Sequence, residues 1–148
     1  MRIRHAESAD HARVAEMIDE WWGGRRMREM LPRLFFTHFR DTSFVAEDDP
    51  GGLAGFLCGF LSQTYPEQAY IHFVGVAPEH RGAGLARELY DRFFAAVRDY
   101  GRATVHCVTS PVNAGSLAFH QRLGFEIEAE KENYDGTGES RVLLVKEL

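Results

Sequence analysis

A chain of 148 residues is one domain's worth, long enough to close a hydrophobic core without disulfides or a metal. An apolar content of 45% with eleven phenylalanines excludes a disordered chain, and a net charge of −5 argues against a general nucleic-acid or anionic-membrane surface. The two cysteines, Cys58 and Cys107, each lie inside an apolar run and read as buried thiols. No signal peptide, lipidation motif or bilayer-long apolar run is visible, so a cytoplasmic location is expected.

Residues 2–6 predict a first strand. Ser8 or Asp10 is placed to cap a helix carrying Val14, Met17, Ile18 and Trp21 on one face and ending near Gly23-Gly24. A second helical stretch, from about Met27 to Phe39, turns Met30, Leu34 and Phe35 inward and Arg25, Arg26, Arg28 and Arg33 outward, with Pro32 kinking or breaking it. Ser43–Glu47 and Leu53–Ser62 predict a hairpin around Asp49-Pro50-Gly51-Gly52, and Tyr65-Pro66-Glu67-Gln68 turns the chain into a strand ending at Val76. From Leu85 the apolar period lengthens: Leu85, Leu89, Phe93, Val97 and Tyr100 predict a helix, with Gly101 as its C-terminal stop. Ala103–Thr109 follows as a strand and Asn113–Leu123 as a helix stopped by Gly124. Phe125–Lys131 and Arg141–Lys146 are the last two strands, antiparallel. The order is β-α-α-β-β-β-α-β-α-β-β, an α/β (α+β) chain with a mixed sheet.

Chemistry concentrates where the strand ending at Val76 meets the long helix. Gly82 and Gly84 lie between them, and a helix N-terminus offers unpaired N–H groups and the positive end of a dipole. With Arg81 beside them, these residues describe a phosphate cradle. No Gly-Lys-Ser/Thr follows, which sets a Walker loop aside, and the dinucleotide fingerprint lacks its third glycine.

The whole string is more specific. Val74-Gly75-Val76-Ala77-Pro78 runs into Arg81-Gly82-Ala83-Gly84-Leu85-Ala86, which fits Arg/Gln-x-x-Gly-x-Gly/Ala. It resembles the pyrophosphate signature of the Gcn5-related N-acetyltransferases. A later block, Asn113-Ala-Gly-Ser-Leu-Ala-Phe-His-Gln-Arg-Leu-Gly-Phe125, is similar to that family's Asn…(aromatic-Tyr)…Gly-Phe segment. The resemblance covers almost the entire chain. It implies a twisted mixed sheet with helices on both faces, acetyl-CoA as co-substrate, and acyl transfer to a primary amine of a small molecule or peptide. The pantetheine arm would lie along backbone groups of Val74, Gly75 and Val76 as an added strand, where a backbone N–H would stabilise the developing oxyanion. The N–H groups from Gly82 through Ala83, Gly84 and Leu85 to Ala86 would hold the pyrophosphate, with Arg81 nearby. Asn113 would bond the pantetheine arm, and Ser116 follows one turn later. Each also has a plain structural role open to it, Asn113 as a helix cap and Ser116 as a solvent-facing serine.

A base must take the amine's proton. The family's common glutamate position holds Tyr70, and strict alternation puts Tyr70, His72, Val74 and Val76 on one face. His72 resembles the histidine of the aralkylamine branch and is the candidate base, with Glu67 in reserve; a buried structural histidine is the alternative. The tyrosine that protonates the departing thiolate in many members is replaced by His120. Either histidine supplies that proton or solvent does, with Tyr134 as a further substitute. His106 reads as structural. No metal is expected, because the histidines lack His-Glu-x-x-His spacing and the cysteines lack Cys-x-x-Cys. The resemblance places acceptor specificity in the first two helices and the loop before the last strand, where Trp21, Trp22, Phe35 and Phe36 line a pocket or fill the core. Nucleic-acid and membrane partners are not expected, and a homodimer is left open. An acyl-CoA-binding sensor that has lost turnover is the alternative function, and a nucleotide-phosphate binder the third.

Overall fold

The computed structural model describes all residues 1–148. The chain forms β1 (Arg2–His5), α1 (Asp10–Trp21), α2 (Leu34–His38), β2 (Phe44–Glu47), β3 (Leu53–Leu61), β4 (Gln68–Val76), α3 (Leu85–Asp99), β5 (Thr104–Thr109), α4 (Ala114–Arg122), β6 (Glu126–Lys131) and β7 (Arg141–Glu147). This is the order read from the sequence. The strands make one seven-stranded sheet in the order β1-β2-β3-β4-β5-β7-β6. Only the β4–β5 pair is parallel. The connection between them runs through α3, as a parallel crossover requires.

Each face of the sheet has its own core. On one face α3 buries Leu85, Leu89, Phe93 and Val97 against Leu57, Ile71, Val105 and Leu144. Their spacing of three and four residues is what turns one helical stripe inward. On the other, α1 and α2 bury Val14, Ile18, Trp21, Phe35 and Phe36 against Val45, Phe56 and Cys58. Three of the four aromatics weighed as acceptor-pocket residues are therefore core, and only Trp22 stays half-buried, edge-on to Phe73 at 5.2 Å. Both thiols are buried, on opposite faces, and burial pushes Cys107 up to about 12. β3, next to the central β4, carries glycines where the side chains of α3 come closest. A Cβ on Gly59 would collide with the Phe93 ring and stand 2.8 Å from the Tyr70 carbonyl oxygen. Gly59→Ala is thus expected to cost about 1–3 kcal/mol in denaturant unfolding, the usual range for overpacking. An unchanged midpoint would mean that α3 is not held this tightly on β3.

Several local expectations are corrected. Pro32 breaks the second helical stretch into a single 3₁₀ turn at Arg28–Met30 and the short α2, which resets the phase. Met30 and Leu34, expected inside, are 47% and 43% exposed, and Leu31 is buried instead. Asp10 is not the N-cap of α1 but its first residue. Its carboxylate accepts the Glu7 N–H and pairs with Arg4. Burial opposes ionisation there, yet the Arg4 hydrogen bond keeps Asp10 below its usual value. Arg4 and Arg13 also hold Glu47 down to about 2, so one charge network ties β1, α1 and β2 together. No helix of the chain is long and apolar enough to cross a membrane.

Candidate active site

The sheet opens at its only parallel pair. β4 and β5 are in register over Gln68↔Thr104, Ala69↔Val105 and Tyr70↔His106 and no further, although β4 runs on to Val76 and β5 to Thr109. Beyond Tyr70, β4 has β3 on one side only. Alternate backbone N–H and C=O groups of Ile71–Val76 therefore face a gap, where an extended ligand can pair as a strand would.

The cradle stands at the end of the same strand. Gly82 and Gly84 take φ of +83° and +84°, which L side chains rarely adopt, and space is open where a Cβ would sit on either. The first bond of α3 runs from the Glu88 N–H to the Gly84 carbonyl (3.1 Å). The N–H groups of Leu85, Ala86 and Arg87 lie ahead of that bond, directed out of the helix start beside Ala83. Arg81 does not lie free over the cradle. Its Nε donates to the Val76 carbonyl (3.1 Å) and its Nη2 to the Trp21 carbonyl (2.7 Å), strapping the end of α1 to the end of β4. Val74, Gly75, Val76 and Arg81 line a cleft of about 510 Å³ with Trp21, Trp22 and Gly23. The structure thus gathers the expected cofactor residues of β4 in one place, next to the helix start that holds the others.

Asn113 and Ser116 sit across the gap, at the start of α4. Asn113 is the N-cap, its Oδ1 accepting the Ser116 N–H at 3.0 Å, which leaves its amide –NH₂ unused. The Thr109 hydroxyl donates to Ser116 Oγ at 2.9 Å. His120, one turn on, is buried between α3, α4 and Phe125. Its Nδ1 reaches the Ser116 carbonyl (2.7 Å) and its Nε2 the Tyr90 hydroxyl (2.8 Å). A carbonyl only accepts, so Nδ1 carries the hydrogen and Nε2 accepts the hydrogen bond that the Tyr90 hydroxyl donates. Both nitrogens are committed inside the protein, and the direct acid role expected of His120 finds no free N–H to perform it.

Burial lowers the His120 pKa, with the Ser116 carbonyl acting weakly the other way. The folded state then binds fewer protons than the unfolded one, so stability is fully present above the unfolded value of about 6.5. It is lost as pH falls from there towards the depressed folded value. Thermal midpoints are expected to drop over that window, and His120→Gln, which has no charge to acquire, should flatten the drop. An identical slope in the variant would show that His120 is not the group being protonated.

The alternation expected for β4 is also corrected. Cys58 pairs with Phe73 but Gly59 with Ile71, so His72 is an extra, bulged residue. The bulge keeps Tyr70, His72 and Phe73 all on the α1/α2 face, shown by stacking of Tyr70 on Phe60, His72 on Phe35 and Phe73 on Phe56. Val74 and Val76 turn to the α3 core. The His72 ring is exposed, lies 4.7 Å from and parallel to Phe35, and its Nε2 donates to the Met30 carbonyl at 2.6 Å. That bond fixes the tautomer and leaves the Nδ1 lone pair available.

Phe35 is 6.3 Å from Phe60, and Phe60 begins the wall of a second cavity on this face. It measures about 450 Å³ and is lined by Phe60, Tyr65, Tyr70, His106, Glu128 and Tyr134, with apolar residues of β5 and β7 behind. His72 does not line it: its ring stacks on Phe35, which is 6.3 Å from Phe60 on the cavity wall. Glu67, the reserve base, is not among its lining residues. His106, read as structural, lines this cavity opposite Tyr70, as their register pairing dictates. Burial lowers its pKa, with the charge of Glu128 acting the other way. The signal for it was the parallel pairing of two strands thirty-odd residues apart, which periodicity does not show.

The acetyltransferase (GNAT) family model matches residues 11–125. The L-2,4-diaminobutyric acid acetyltransferase of Chromohalobacter salexigens is 33% identical over 82% of this chain and 69% of its own length. An N-terminal acetyltransferase complex ARD1 subunit homolog of Dictyostelium discoideum is 30% identical over 74% of this chain, which spans 55% of that relative's length. In fold, the chain is similar to YncA of Salmonella typhimurium, solved with acetyl-CoA, at a TM-score of 0.78 and 22% identity over 100% of this chain and 94% of that one. The open strand pair, the cradle at the start of α3 and the match over most of the chain agree, and the chain belongs to the acetyltransferase (GNAT) family.

Proposed function

We propose that this protein transfers the acetyl group of acetyl-CoA to a primary amine of a small molecule or peptide, by direct attack in a ternary complex. The observation that carries the reading is the register of β4 and β5, which stops at Tyr70 and leaves backbone groups of Ile71–Val76 open beside the cradle. The fit is good: the cradle is open at Gly82 and Gly84, and no side chain fills the space above it. One relative is named as the acetyltransferase of a diamino acid and another as a subunit homolog of an N-terminal acetyltransferase complex, and an amine acceptor is in keeping with both.

Bound acetyl-CoA supplies the acetyl group as a reactive thioester. The N–H groups at the start of α3 hold its pyrophosphate, and the Asn113 amide and the free edge of β4 hold its pantetheine arm. A β4 N–H facing the gap donates to the carbonyl oxygen as charge develops there, a contribution worth about 3–4 kcal/mol for one donor. The amine approaches from the α1/α2 face, through the cavity walled by Phe60 and Tyr70. His72 Nδ1 takes its proton, directly or through one water. The C–N bond forms, the C–S bond breaks, and the thiolate takes a proton from solvent, since His120 is committed elsewhere.

The test is amine-dependent release of free thiol from acetyl-CoA across simple amines, amino acids, polyamines and peptides, with the amide product identified by mass. Release with at least one amine supports the reading. Tight acetyl-CoA binding without release to any amine or to water would instead mark a sensor.

A further inference from the structure

The cavity walled by Phe60 and Tyr70 has a composition that selects among amines. Its walls are aromatic (Phe60, Tyr65, Tyr70, Tyr134), and Glu128 is the only carboxylate lining it, with no lysine or arginine among the lining residues. Glu128 is the extra residue of a second bulge, between Ile127 and Ala129 on β6. It is exposed, with no ion pair or hydrogen bond to another side chain. The cations nearby are engaged. Arg102 donates to the carbonyls of Ser62, Tyr65 and Gln68 at 2.9, 3.3 and 3.0 Å. Arg141 is paired with Asp135 (2.9 Å) and Glu139 (3.1 Å). Lys131 lies over the Tyr134 ring at 6.0 Å and does not line the cavity.

An aromatic enclosure with one unpartnered carboxylate attracts a cation, through the negative faces of the rings and through direct charge. It offers no free cation to a carboxylate or phosphate. Building on the acetyltransferase reading, we propose that the acceptor is a primary amine carrying a second cationic group, in the simplest case a diamine. The near amine faces His72 and the gap, and the distal charge rests among Tyr65, Tyr70 and Tyr134 against Glu128.

The decisive comparison is putrescine against pentylamine, which has a methyl group where the diamine has its second ammonium. With saturating acetyl-CoA, kcat/KM is expected to be at least 10-fold higher for putrescine. Glu128→Gln should lower the putrescine value about 10-fold and leave pentylamine nearly unchanged. Equal values for the two amines in the parent, or an equal fall for both in Glu128→Gln, would overturn the inference while leaving the acetyltransferase reading intact. If no amine of any class is acetylated, the acetyltransferase reading fails on its own. Putrescine alone then tests the cavity: a thermal shift seen in the parent and lost in Glu128→Gln upholds the cation site, and no shift in the parent overturns it.

Discussion

Replacing His72 with alanine is expected to lower kcat/KM for an amine at neutral pH by about 10²–10⁴-fold, the usual contribution of a positioned base. The expectation rests on the bulge and on Met30. The bulge turns the imidazole to the face that carries Phe60 and Tyr70 of the proposed acceptor cavity, and the Met30 carbonyl holds Nε2–H so that Nδ1 can only accept. Acetyl-CoA affinity should change little, because the contacts assigned to β4 are backbone ones. The ring also stacks on Phe35, so a modest loss of thermal stability accompanies the variant without accounting for a hundred-fold rate change. If activity falls only as far as cofactor affinity falls, His72 is a structural residue. If kcat/KM is retained, the base moves to His106, the imidazole that lines the cavity.

Gly84→Val is expected to weaken acetyl-CoA binding at least 10-fold in a protein that still folds. Two effects act together. At φ of +84° any Cβ is strained, by roughly 1–2 kcal/mol, and a branched side chain occupies the space the pyrophosphate needs. Gly101→Val separates them. Gly101 closes the other end of α3, with φ of +73° and equally open surroundings. It carries the strain without the cradle, so its calorimetric affinity should match the parent's. Equal losses in both variants would mean that distortion of α3, and not the cradle, governs binding.

The parts of the fold that were legible in the sequence were those fixed by local rules. The stripe from Leu85 to Val97 named α3, Gly101 its end, and the turn residues at 49–52 the hairpin. The glycine entry to α3 was legible for the same reason, since two glycines mark a tight turn into a helix, while its reading as a pyrophosphate cradle came from the whole string and its resemblance. What sequence reasoning missed was set by partners distant in the chain. Nothing in Ile71-His72-Phe73 announces a bulge, because the extra residue is defined only by β3 across from it. The phase of Met30 and Leu34 depended on how far Pro32 unwinds the helix. His120 occupied a position whose role was transferred by resemblance, but its surroundings, Tyr90 above all, come from a different helix. The cavity proposed for the acceptor joins Phe60, His106, Glu128 and Tyr134, residues that the β3-β4-β5-β7-β6 order brings together.

The central claim is that acetyl-CoA lies as an added strand on β4 with its pyrophosphate at the start of α3. Amide hydrogen exchange with and without acetyl-CoA measures this directly, because an amide that gains a hydrogen-bond partner slows. The expected result is added protection confined chiefly to residues 71–76 and 82–87. Saturation with acetyl-CoA that leaves both segments unprotected, or that protects another part of the sheet, would contradict it.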